Sequence, residues 1–152
     1  MDSVRLGVVG YGNMGTVHCK NVSEGKVPKM TLTAICDISE DRRKAASDAH
    51  KDVKIFDDAQ QMFESGLCDL VIIAVPHYDH PRLAEAAFEC GLNVITEKPA
   101  GVYTKQVMEM NDAAERSGKL FGIMYNQRTN PIYQKIRSMV KDGSLWHIKR
   151  IS

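Results

Sequence analysis

Lys98 follows the strand-like run Asn93-Val94-Ile95-Thr96 and stands between Glu97 and Pro99. At the edge of a site, an ammonium stabilises a developing alkoxide or holds a substrate hydroxyl. Burial and neighbouring charge tune a lysine for such work. The same residues also fit an exposed Glu–Lys pair beside a turn proline, which contributes little. Spacing alone leaves both readings open. A second set of residues points to an anionic ligand. Gly10-Tyr11-Gly12-Asn13-Met14-Gly15 has the spacing G-x-G-x-x-G. The apolar run from Val4 to Val9 precedes it, and a helix-compatible run from Thr16 to Val22 follows. Strand, glycine turn and helix in that order make a cradle for the pyrophosphate of a dinucleotide. Gly10 permits the tight turn, Gly12 lets the backbone approach the phosphates, and Gly15 lets helix and strand pack closely. Asn13 and Met14, at the helix start where free N–H groups face an anion, join them as cofactor-binding candidates.

The strand after this helix, Thr31-Leu32-Thr33-Ala34-Ile35-Cys36, ends in Asp37, 22 residues beyond Gly15. That is the expected separation for the acid that accepts hydrogen bonds from the adenosine ribose. Asp37 also suits a turn or helix-cap role, and the two coexist. As the ribose acid it favours NAD over NADP, because a carboxylate repels a 2′-phosphate. Arg42 and Arg43 follow closely. One of them fits over the adenine ring or near a 2′-phosphate, and at least one belongs to a solvated helix face. The run Val75-Pro76-His77-Tyr78-Asp79-His80-Pro81 invites a metal reading. No fourth ligand is evident, and Pro81 suits a first helical turn. The metal reading is therefore set aside, and His77, Tyr78 and His80 are expected to shape the cofactor pocket.

Strand and helix patterns alternate to position these residues. Ser39 caps a helix bearing Ala45, Ala46 and Ala49, and Lys54-Ile55-Phe56 is a short strand. Asp57 caps a helix with Met62 and Phe63 inward, stopped by Gly66. The β-branched run from Leu70 to Val75 reads as a strand buried on both faces. A helix burying Leu83, Ala86, Ala87 and Cys90 follows. Thr104 caps a helix with Val107, Met110 and Ala114 inward, and Leu120–Met124 is a sixth strand. Methionines 108, 110, 124 and 139 read as core fillers. Six strands separated by helices predict an α/β, doubly wound parallel sheet of the Rossmann type, whose ligands bind beyond the carboxyl ends of the strands. After it come a helix with Ile132, Ile136, Met139 and Val140 on one face, and a strand-like alternation from Trp146 to Ser152. That last segment has no pairing partner in this chain. It is expected to be disordered or to pair with a second copy.

The bulk numbers exclude several classes. The 152 residues carry a net charge of +1, with 43% hydrophobic and 26% charged residues, which gives no electrostatic case for nucleic acid or a membrane surface. The longest apolar run is too short to span a bilayer, and the first residues do not read as a secretory signal. Cys19, Cys36, Cys68 and Cys90 form no C-x-x-C pair. They read as small hydrophobes in a reducing compartment, hence cytoplasmic.

Taken together, the glycine turn, Asp37, Val75-Pro76 with His80, Gly91-Leu92-Asn93-Val94 and Glu97-Lys98-Pro99 resemble the Gfo/Idh/MocA oxidoreductases over essentially the whole chain. One small departure is Trp146, where the family commonly has glycine. The resemblance implies hydride transfer between a nicotinamide cofactor and the carbinol of a sugar, cyclitol or related small polyol. Lys98 then matches the lysine that contacts the reacting hydroxyl. Glu97 matches the neighbour that helps set the cofactor site, Pro76 and His80 match a loop lining the cofactor cleft, and Arg128 lies toward the substrate. The resemblance further implies that residues 1–124 are the dinucleotide-binding domain. Residues 125–152 are then a connecting helix and the first strand of an incomplete α+β domain for substrate and oligomerisation, which supplies the usual catalytic histidine. A homo-oligomer follows for the full-length protein. The alternative is a regulatory module that binds a nucleotide without chemistry. It would keep the glycines and Asp37 but need no Lys98.

Overall fold

The strand–turn–helix units expected from the sequence form in the computed structural model, which describes residues 3–145. The chain runs β1 (Val4–Val9), α1 (Asn13–Ser23), β2 (Met30–Cys36), α2 (Glu40–Ala49), β3 (Lys54–Phe56), α3 (Ala59–Glu64) and β4 (Leu70–Ile73). It continues through α4 (His80–Glu89), β5 (Asn93–Thr96), α5 (Thr104–Ser117), β6 (Phe121–Ile123), a 3-10 turn (Asn126–Thr129) and α6 (Pro131–Lys141). The strands make one parallel sheet in the order β3-β2-β1-β4-β5-β6. The order reverses between β1 and β4, so a crevice opens there, at the ends of the strands that carry the glycine turn and Pro76.

Burial on both faces explains the apolar runs. Leu6, Val8 and Ile72 pack with Cys19 and Val22 of α1 and Ala46 of α2. Val9, Val71 and Ile73 pack on the other face with Met62 and Phe63 of α3, Leu83 and Phe88 of α4 and Met110 of α5. Each fully buried aliphatic of this size contributes about 1.5–3 kcal/mol. Three cysteines sit in this interior and Cys90 at its margin, all as free thiols. Burial pushes the Cys19 and Cys36 thiols up to about 12, so they behave as small hydrophobes.

Several local expectations need correction. The cap of α3 is Asp58, whose side chain accepts from Gln61 N at 2.8 Å, not Asp57. Tyr103 precedes α5, and Thr104 is its first residue. Met110 is fully buried, but Met108 is exposed. The apolar face of α6 forms as expected but stays largely uncovered among the described residues: Ile132 is 69% exposed, Ile136 and Val140 are also exposed, and Met139 is half-buried. The strand expected from Trp146 to Ser152 lies outside the described residues. Among the described residues, no helix is long and apolar enough to cross a membrane.

Candidate functional site

The glycine turn is clamped between neighbouring strand ends. Gly10 N donates to Cys36 O at 2.7 Å, and Ala74 N donates to Val9 O at 2.8 Å. Gly10 has φ +94°, and a Cβ there would lie 2.6 Å from Ala74 O. No L side chain fits that position. A Cβ on Gly15 would lie 1.8 Å from Gly10 O, so α1 packs on the turn only through a bare glycine. Gly12 differs. Its φ is −82°, and a Cβ would meet only the Arg42 guanidinium, at 3.6 Å. The packing of the fold does not require a glycine there. Gly12 is also the N-cap of α1. It supplies no side-chain cap, and no acid occupies the first turn, so no side chain of that turn offsets the positive end of the helix, which favours negative charge.

Asp37 supports this turn from below. Its Oδ2 accepts from Tyr11 N at 2.7 Å and its Oδ1 from Ser39 N at 2.9 Å, and the residue is 5% exposed. The turn role weighed from the sequence is therefore present. Arg42, largely exposed, brings Nη1 to 3.7 Å from Asp37 Oδ2, and Arg43 bonds the carbonyl oxygens of Asp37 and Ile38.

Tyr11 is held at its other end as well. Its hydroxyl lies 3.1 Å from His50 Nε2, and Ser23 Oγ lies 3.1 Å from His50 Nδ1. Burial lowers the His50 pKa below the ordinary histidine value. The unfolded chain therefore takes up a proton at this residue before the folded one does. Stability from this source is complete above about pH 6.5 and is lost as the pH falls through the lowered folded value. The urea midpoint is expected to drop between pH 7 and 5.5, and to drop less in His50→Gln. Parallel pH profiles for the two proteins would refute the link.

At the end of β5, Glu97 N donates to Ile73 O at 2.9 Å. Glu97 Oε2 accepts from Lys98 N at 3.2 Å, while Oε1 lies 2.8 Å from His18 Nε2. The Glu97 side chain is thus a buried, hydrogen-bonded carboxylate rather than half of an exposed Glu–Lys pair. The Lys98–Pro99 peptide is cis. His80 braces this bend from the interior: Nδ1 lies 2.8 Å from Pro99 O and Nε2 2.9 Å from Val75 O.

These parts surround an open cleft of about 730 Å3. Among the sequence candidates, Asn13, Met14, Arg42, Pro76, Glu97 and Lys98 line it. Met124, expected in the core, and the stretch Tyr125–Arg128 form a further wall. Gly10, Gly15 and Asp37 lie behind the surface as supports of the turn. His80, 1% exposed, stands behind the wall as a brace, because both ring nitrogens are engaged by carbonyl oxygens. His77 and Tyr78 are exposed and stack on each other, with ring centroids 4.9 Å apart, and neither lines the cleft. Among the described residues no group of three His, Cys, Asp or Glu side chains is placed to hold a metal ion. Sequence reasoning assigned His18 no role. The one signal was its place three residues after Gly15, which puts both on one helix face.

A model of the oxidoreductase family with an NAD-binding Rossmann fold matches residues 4–125. The chain is 31% identical to the rhizopine catabolism protein MocA of Rhizobium meliloti, across 100% of this chain and 47% of that protein. It is 25% identical to myo-inositol 2-dehydrogenase of Thermotoga maritima, across 98% of this chain and 45% of that protein. The structure of scyllo-inositol dehydrogenase from Lactobacillus casei, with bound NAD(H) and scyllo-inositol, superposes with a TM-score of 0.89 at 23% identity. That match covers 97% of this chain and 43% of the other, and the likeness is one of fold. The chain spans less than half the length of these relatives.

Proposed function

The chain belongs to the oxidoreductase family with an NAD-binding Rossmann fold, and from that premise we propose that it is the cofactor-binding portion of a nicotinamide-dependent dehydrogenase acting on the carbinol of a sugar, cyclitol or related small polyol. One observation carries the reading: the uncapped glycine turn, Pro76 and the Glu97–Lys98 bend, far apart in sequence, converge on one cleft. A regulatory nucleotide module has no use for an ammonium in that wall. Gly12 and the first turn of α1 would hold the pyrophosphate, with Asn13 and Met14 beside it. Arg42 would lie at the adenosine end, and Pro76 would line the path toward the nicotinamide. When bound, the nicotinamide accepts or returns the hydride. Lys98 would meet the carbinol oxygen there and stabilise negative charge as the hydroxyl proton passes to a base supplied by the substrate domain. Arg128 would face the substrate.

The apolar face of α6 supports a division near residue 124, with the later residues leading into a substrate and oligomerisation domain. The full-length protein would be a cytoplasmic homo-oligomer. This chain by itself would bind cofactor without turning over a polyol.

Asp37 favours NAD, since its carboxylate disfavours a 2′-phosphate even while it holds the turn. Arg42 pulls the other way. Calorimetric titration of this chain should give NAD binding at least about 10-fold tighter than NADP, a difference of about 1.4 kcal/mol. Asp37→Ala should narrow that gap. NADP binding as tightly as NAD, or an unchanged preference in Asp37→Ala, would remove the discriminating role of Asp37. Absence of binding to either cofactor would remove the function proposed.

A further inference from the structure

His18 projects from α1 toward the exit of β5, and its Nε2 donates to Glu97 Oε1 across 2.8 Å. The two side chains are only 14% and 8% exposed. The contact joins residues that lie 79 positions apart in the sequence. It ties the helix that starts at the glycine turn to the bend that carries Lys98. The other Glu97 oxygen receives the Lys98 amide. The carboxylate therefore reaches from the phosphate end of the cleft to the residue at its reacting end.

The charges in the cleft give this contact a purpose. Among the described lining residues Glu97 is the only acid, against Arg42, Lys98 and Arg128. A carboxylate free to swing in a cleft shaped for a pyrophosphate would oppose the ligand. It would also release the Lys98 amide. No lysine or arginine approaches Glu97 within ion-pair distance among the described residues, so the imidazole has no substitute.

We infer that His18 is a positioning residue: by holding Glu97 against α1 it keeps the only acid among the described lining residues at the cleft wall, turned from the cofactor, and fixes the direction in which Lys98 leaves β5. The inference rests on the reading of the cleft as a dinucleotide site. It adds a dependence that reading does not contain, namely that the pyrophosphate turn and the reacting lysine are set by one shared contact.

The test is a double-mutant cycle on this chain. NADH affinity is read by fluorescence for the native chain, His18→Leu, Glu97→Gln and the double variant, with the folded fraction checked by circular dichroism. An unpaired carboxylate near a phosphate in a half-buried site weakens binding by about 10- to 100-fold, which is the loss expected for His18→Leu. Removing the charge as well, in the double variant, should recover most of that loss. His18→Gln keeps a donor and should stay within about threefold of native. A second readout separates positioning from general support of the fold. The rate of Lys98 acylation by acetic anhydride, measured by peptide mass spectrometry, should change in His18→Leu, while Lys105 and Lys119 react as before. If His18→Leu does not fold, His18→Asn, whose shorter amide does not reach Glu97, takes its place. Native-like NADH affinity and native-like Lys98 labelling in the His18 variant would overturn the inference. Failure of the native chain to bind NADH would instead strike the dinucleotide reading, and the labelling comparison would still decide the role of His18.

Discussion

Gly15→Ala leaves a chain that no longer packs α1 on its sheet and does not bind NADH. The added methyl would stand 1.8 Å from Gly10 O and 3.6 Å from Val8 Cγ1. The first of these is a backbone oxygen, which cannot rotate aside. Gly10 cannot yield either, because its N–H is bonded to Cys36 O and its Cα faces Ala74 O. The helix must therefore lift, and Cys19 and Val22 lose their places in the core. Overpacking of this kind, against fixed backbone, is expected to cost about 3 kcal/mol or more, read as a fall in the urea midpoint. Gly12→Ala is the control. There a methyl finds ordinary contact distance and a permitted φ. Its stability should stay within about 1 kcal/mol of native, while NADH binding weakens by about 100-fold or more, since the methyl occupies the approach of the pyrophosphate. Native-like binding in Gly12→Ala would show that the turn does not receive phosphate.

The second large effect falls on turnover. Lys98 lies on the cleft wall, and its side chain makes no ion pair among the described residues. In an active protein carrying this chain, Lys98→Met should lower kcat by about 100- to 1000-fold, the range for losing one group that stabilises a developing oxyanion. NADH affinity should change by less than about threefold, because on the proposed reading the pyrophosphate would be held at the other end of the cleft. Lys98→Arg should recover little: the planar guanidinium spreads its charge over a fork and does not reproduce a compact ammonium. If affinity fell as far as turnover, Lys98 would be a cofactor anchor rather than a partner of the carbinol.

How far the chain could be read in advance depended on the range of the signal. The glycine turn, the β-branched run of β4 and the acid after β2 announce themselves within a few residues, because backbone geometry and burial dictate residue type there. The six strands followed from that local grammar. Caps were less certain: Asp57 and Asp58 are chemically the same, and the register of α3 rather than residue type selects the second. His80 illustrates a different limit. Its position beside Pro76 suggested the cleft, but the bend at Pro99 offers it a carbonyl from a distant segment, and the ring turns inward. Contacts that span the sheet leave no periodic trace. His18 and Glu97 are ordinary polar residues in sequence and meet only because β1 and β5 flank β4. Lys98 was ambiguous for the same reason, since burial of its neighbour was what separated a cleft residue from a surface pair.

The bare stripe on α6 has a practical consequence. Ile132, Ile136 and Val140 lie exposed along one side of a helix, uncovered by the described residues, and Tyr133 and Leu145 also stand exposed nearby. A continuous oily strip of this sort is adhesive in water. Preparations of this chain should therefore behave as a concentration-dependent mixture, sedimenting as heavier species when strong and as a single lighter one when dilute. Charged replacements along the strip would keep the material colloidally stable without touching the cofactor cleft.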